Sequence, residues 1–184
     1  MNTYLNKYIL IPLMLLFIQV QAKNISDPEL KYIRNCFYAG IENEEYLDSL
    51  DIYISKLLNN KIKNDYALLI AYRGAGKSLR AVHTFWPLSK LNFVKEGLVD
   101  LNSAVNKGPD DVEIRFLRFS VLDNLPGFLG YGPDADSDAK DLFYLLSSKP
   151  QQQNDLISDV AEYLIKSERL SQAENQKLKK SFGF

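Results

Sequence analysis

The chain has 184 residues, with 22 lysines and arginines against 23 aspartates and glutamates and a formal charge of −1. That balance supplies no basic excess to attract nucleic acid or anionic lipid, and the length suits one domain with its own core. A single histidine, His83, excludes metal sites built on paired histidines, and a single cysteine, Cys36, excludes an internal disulfide.

At the N-terminus one basic residue, Lys7, precedes the apolar run "ILIPLMLLFI" at residues 9–18, and "QVQA" ends at Ala22. A short basic lead, about 7–15 apolar residues and small residues before a cut describe a secretory signal peptide over residues 1–22. The run is too short to cross a bilayer core, which takes roughly 20 apolar residues. We therefore expect no stable membrane anchor after cleavage, and a mature chain, residues 23–184, exported to the periplasm or beyond. Cys36 falls on a helical pattern, where a lone cysteine acts as a small core residue.

The mature chain reads as one helix after another. "SDPELKYIRNCFYAGI" opens with a capping box, Ser26 and Glu29, and Pro28 in the first turn. "NEEYLDSLDIYISKLLNN" places Tyr46, Leu47, Leu50, Ile54, Leu57 and Leu58 at helical spacing. Asn64 or Asp65 caps a third helix through "YALLIAYRGAGKSLRAVHTF". A fourth runs from about Leu88 to Asn106, with Leu91, Val94, Leu98, Leu101 and Val105 on one face, and Gly108-Pro109 ends it. "DDVEIRFLRFSVLDN" forms the fifth, capped by Asp110 or Asp111. After the loop "LPGFLGYGPDAD" a sixth begins near Ser137 and stops before Pro150. "NDLISDVAEYLIKSE" and "SQAENQKLKKSF" supply the last two, the final one opening on a second box, Ser171 to Glu174. Sustained two-residue alternation is missing throughout, so the fold class is all-α, about eight helices in antiparallel hairpins.

One stretch, "AYRGAGKS" at 71–78, fits the relaxed phosphate-loop pattern, with Gly76, Lys77 and Ser78 as its nucleotide-binding residues. Such a loop must leave a buried strand and wrap its amides around phosphates before a helix begins. Here Ala67, Ala71, Gly74, Ser78 and Ala81 form one stripe of small residues that crosses the motif without a phase break. Leu68, Tyr72, Ala75, Leu79 and Val82 run beside it. We read a continuous helix whose glycines admit a close neighbour, and Lys77 as a solvent-facing lysine. A nucleotide-binding enzyme is the competing reading, and no cofactor is expected.

The fourth helix carries Gly97, Leu101, Ala104 and Pro109 with three, two and four residues between them. This resembles the second helix of a tetratricopeptide repeat. The partner helix departs from that pattern, with Ala81, Thr84, Phe85 and Leu88 at its marked positions and Pro87 interrupting. The segment from "AYRGAGKSL" through "KLNFVKEGLVDLNSAV", "VEIRFLRFSVLDNLPGFLGY" and the sixth helix also resembles a set of exported bacterial helical proteins of tetratricopeptide-like type without an assigned activity. The resemblance implies stacked hairpins and an exported compartment, not a reaction.

His83 ends the third helix, where a cation suits the helix dipole, and any nucleophilic dyad would have to recruit it. "DADSD" at 134–138 spaces acids like the start of a calcium loop, but Ala139 and Leu145 stand where glycine and glutamate belong. Arg115 and Arg118 share a face of the fifth helix, with Asp111 one turn before Arg115 as an ion-pair partner. They tie down neighbouring groups or line a groove for a partner's carboxylate. The loop carries Leu125, Phe128, Leu129 and Tyr131, apolar groups that anchor it or meet a partner. The resulting expectation is a non-catalytic binding or scaffolding module for another polypeptide of the cell envelope. Its contacts are Arg115, Arg118, Leu125, Phe128 and Tyr131, with no metal and no nucleic acid.

Overall fold

A computed structural model of the chain describes residues 24–60, 64–148 and 155–184. The signal-peptide reading of residues 1–22 lies outside them, as does Pro150. All regular structure among the described residues is helical: α1 (Asp27–Ala39), α2 (Glu45–Asn59), α3 (Tyr66–His83), α4 (Pro87–Lys107), α5 (Val112–Asp123), α6 (Gly132–Ser148), α7 (Asp155–Lys166) and α8 (Gln172–Phe182). A short 3-10 turn, Gly127–Leu129, lies in the α5–α6 connection.

The helix starts follow local chemistry. The Ser26 amide and hydroxyl both donate to Glu29, and the Ser171 amide and hydroxyl both donate to Glu174, so each box closes as read. Asp111 caps α5, its Oδ1 accepting the amides of Glu113 and Ile114. Asp65 precedes α3 but turns its carboxylate away, accepting the Ile25 amide at 2.6 Å and fastening the chain before α1. The sixth helix begins at Gly132, five residues earlier than Ser137. Pro133 explains this: it needs no amide partner in a first turn, and Asp134 and Asp136 suit the positive helix end.

Neighbouring helices run antiparallel, as the order of their contacts shows. Between α3 and α4, Ala67 lies against Gly108 while Gly74 lies against Gly97. Between α2 and α3, Gly76 abuts Leu50 while Arg80 reaches back to Asp48 and Glu44. Between α5 and α6, Arg118 meets Asp138 and Arg115 meets Asp141.

Two apolar clusters form the interior. The first joins α1 to α5 around Ile33, Leu50, Ile54, Leu69, Tyr72 and Leu101. The second joins α5 to α8 around Phe119, Leu142, Val160, Leu164 and Leu178. Helix α5 belongs to both, sending Ile114, Leu117 and Leu122 to the first and Val112 and Phe119 to the second. Cys36 is buried in the first. A polar tie crosses this cluster: Arg34 forks onto Glu113 at 2.7 and 2.6 Å, and the Tyr72 hydroxyl donates to the same carboxylate. Burial pushes the Tyr72 phenol well above its ordinary pKa, so it stays a donor.

This arrangement gathers the four hairpin tips at one end. His83, the last residue of α3, places Nε2 2.7 Å from the Gly40 carbonyl in the α1–α2 connection, as its donor. Arg118 on α5 meets Asn102, and Arg115 meets the Pro109 carbonyl, so α5 runs back along α4 and the α5–α6 loop opens toward the end at which α4 begins. Arg169 in the α7–α8 turn binds Asp123 at the end of α5 and Asp136 in α6, which brings the fourth tip to the same end.

Candidate functional site

The phosphate-loop motif lies wholly inside α3. Its amides are committed to helical hydrogen bonds, and its small residues face α4 so closely that a methyl placed on Gly97 would lie 2.1 Å from Ser78 Oγ and 2.4 Å from the Gly74 carbonyl oxygen. Gly76 turns instead toward Leu50. Lys77 is not a free solvent-facing lysine: its Nζ donates to Asp100 at 2.9 Å, beside a bidentate pair of 2.9 Å bonds from Arg73 to the same carboxylate. These cations also border an open groove of about 720 Å³ between α2 and α3, with Asp51, Lys56 and Asn59 on its α2 side.

Two expectations follow from this crossing. The Ser78 hydroxyl is buried without a hydrogen-bond partner. Ser78→Ala is therefore expected to leave stability unchanged or raise it by about 1 kcal/mol, because the apolar replacement needs no partner. Urea midpoints check this; a loss above about 1 kcal/mol would mean the hydroxyl is satisfied. The second concerns acid. Burial pushes the Asp100 carboxyl up, but hydrogen bonds from Arg73 and Lys77 outweigh burial and hold it below its ordinary value. A lowered folded pKa makes the stabilisation complete above the unfolded value of about 3.9 and removes it as pH falls through the folded value. Asp100→Asn is expected to lower stability at neutral pH and to flatten the decline below about pH 4, read as urea midpoints across that range.

Arg115 and Arg118 converge on one carboxylate, that of Asp138, which is 0% exposed. Arg118 Nε donates to Asp138 Oδ2 at 2.8 Å and Arg115 NH1 donates to Oδ1 at 2.9 Å. Arg115 also meets Asp141 at 3.0 Å and the Pro109 carbonyl at 3.1 Å. Asp111, the local partner expected for Arg115, is occupied as the helix cap instead. Both guanidinium groups thus lock α5 to α6 and α4.

The acids of "DADSD" separate around the turns of α6: Asp136 goes to Arg169 and Asp138 to the two arginines. Among the described residues, no group of three or more His, Cys, Asp or Glu side chains is placed to hold a metal. No helix there is long and apolar enough to cross a membrane.

The α5–α6 loop divides its apolar groups. Leu125 and Tyr131 pack against the first cluster, whereas Phe128 is 87% exposed. Gly130 closes the 3-10 turn at φ 80, a conformation that suits glycine. Phe128 has company at the same end of the bundle. In the α3–α4 corner Phe85, Trp86 and Leu88 are 83%, 69% and 79% exposed, Val82 is exposed beside them, and the two aromatic rings meet edge to face at 5.7 Å. Ile41, next to the Gly40 carbonyl that His83 holds, is also exposed.

The structure thus separates the residues named from sequence. Arg115 and Arg118 serve an internal tie, Leu125 and Tyr131 anchor a loop, and Phe128 faces solvent. Sequence reasoning missed Val82, Phe85, Trp86, Leu88 and Ile41. The signal was available in "HTFWPL": a connection as short as Thr84-Phe85-Trp86 between two helices cannot fold back far enough to bury two large rings.

Comparison with protein-family models, curated proteins and solved structures finds no match to the chain. The residues behind the tetratricopeptide resemblance occupy structural positions: Leu101 and Ala104 are buried, and Gly97 lies directly against Gly74 and Ser78 of α3.

Proposed function

We propose that this chain is an exported, non-catalytic helical module that binds another polypeptide of the cell envelope through the tips of its hairpins. The apolar stretch and small residues before Ala22 support export, and the repeat-like spacing of Gly97, Leu101, Ala104 and Pro109 supports a tetratricopeptide-like scaffold. The observation that carries the binding reading is the exposed corner of Val82, Phe85, Trp86 and Leu88, with Phe128 exposed on the neighbouring α5–α6 tip. Clustered large apolar groups on a protein surface mark interaction sites, and aromatic groups dominate binding energy there. The contact surface accordingly shifts from the arginines to the tips and keeps Phe128.

Photocrosslinking tests this. A photoreactive residue at position 86 or 128 in the cell envelope is expected to give a discrete adduct with one polypeptide. The same group at exposed Tyr144, farther along α6, is expected to give none. Binding of the purified adduct partner should then be lost in a variant carrying Phe85→Ser, Trp86→Ser, Leu88→Ser and Phe128→Ser that still folds. Equal labelling from all three positions, or unchanged binding by that variant, refutes the placement.

A further inference from the structure

We infer that the hairpin tips receive a cationic amphipathic segment of a polypeptide, apolar along one face and rich in lysine or arginine along the other; this rests on the polypeptide-binding reading above. Negative charge surrounds the apolar corner. The α1–α2 connection, fastened to the end of α3 by His83 and by Arg80, carries Glu42, Glu44 and Glu45, all exposed. Exposed Asp134, in the first turn of α6, and exposed Glu168, in the α7–α8 turn, add negative charge at the neighbouring tips.

The cations at this end are spent internally. Arg80 is shared among Glu44, Asp48 and Asp51, Arg169 is held by Asp123 and Asp136, and Lys166 is paired with Glu162. Among the described residues, Lys90, one turn into α4, is the basic side chain near the corner without such a partner. Helix dipoles do not alter the balance, because helices that end there alternate with helices that begin there. The surface is therefore an aromatic and aliphatic centre with an acidic rim. A segment that buries leucine-like side chains on Phe85, Trp86 and Leu88 places its own cations against Glu42 and Glu45, and an acidic segment meets repulsion at the same points. Anionic lipid is disfavoured for the same reason.

Trp86 is the only tryptophan of the chain, so its emission reports on this corner alone. The probes are a tryptophan-free amphipathic helix of leucine and lysine, its leucine–glutamate counterpart, and phosphatidylcholine vesicles. The full chain is expected to show a saturable blue shift of Trp86 with the lysine peptide, weakened about tenfold or more as salt rises from about 0.05 M to about 0.5 M. The double change Glu42→Gln with Glu45→Gln, at exposed positions, is expected to weaken the lysine peptide about three- to tenfold. Glu96→Gln, at an exposed site midway along α4, should leave it unchanged. Equal binding of the glutamate peptide, or an unchanged affinity in the double variant, overturns the charge inference while leaving the polypeptide reading standing. A shift with vesicles and with neither peptide overturns both in favour of a lipid surface. No shift with any probe overturns the corner as a docking site.

Discussion

Replacing Asp138 by alanine is expected to destabilise the protein by about 3–5 kcal/mol, the cost of leaving buried charge without its partner. Its carboxylate is fully enclosed and receives hydrogen bonds from both Arg115 and Arg118. Arg115 is itself buried and already has one guanidinium nitrogen, Nε, without an acceptor, so the loss falls on a group that water reaches poorly. Asp141 lies 3.0 Å from Arg115 but is half exposed. Asp141→Ala should therefore change stability by less than about 1 kcal/mol, as surface pairs do. Replacing all three of Arg115, Arg118 and Asp138 by apolar residues of similar volume should recover most of the loss, because desolvation is removed together with attraction. Urea denaturation read by far-ultraviolet circular dichroism checks the series. A loss below about 1 kcal/mol for Asp138→Ala would show that the tie contributes little. The same reasoning predicts that alanine at Arg115 or Arg118 weakens the fold before it affects any partner selectively.

The second large effect is expected at Gly97. Helix propensity alone makes Gly97→Ala favourable by about 1 kcal/mol. Packing opposes it and wins: the new methyl would meet Ser78 Oγ, the Gly74 carbonyl oxygen at 2.4 Å and the Ser78 amide nitrogen at 2.8 Å, and two of these are backbone atoms of α3. We expect a net loss of roughly 1–3 kcal/mol as α3 and α4 are forced apart. Adding Ser78→Ala should rescue only part of this, since the Gly74 carbonyl remains. Gly76→Ala meets the end of the Leu50 side chain at 3.0 Å, which can turn aside, and should cost less. Gly127→Ala has nothing within 4 Å and should be neutral or slightly stabilising. An order of Gly97, then Gly76, then Gly127 in urea midpoints supports the crossing; a stabilised Gly97→Ala would overturn it.

These two sites differ in how far they could be read in advance. The crossing was half legible: the unbroken stripe from Ala67 to Ala81 identified α3 as one helix facing a close neighbour, but not that the neighbour presents Gly97. For Arg115, helical spacing pointed to Asp111, one turn away. The partner is Asp138, 23 residues further along the chain and delivered by the docking of α6 on α5. The acids of "DADSD" looked like a loop because their destinations, Arg169 and the arginine pair, lie on other elements. Lys77 looked free because Asp100 belongs to the next helix.

By itself the sequence determined the all-helical class, the box at each of Ser26 and Ser171, and the helical state of the phosphate-loop look-alike. These depend on hydrogen bonds and side-chain periods that act within about four residues, so neighbours along the chain decide them. Tertiary structure alone decided that Asp138 is buried between two guanidinium groups, that Arg115 and Arg118 face inward, and that Phe85, Trp86, Leu88 and Phe128 share an exposed end. The reason is that burial and charge pairing depend on which helices dock and in what register. Short connections and the clasps made by His83 and Arg169 fix that arrangement across distances no local spacing records.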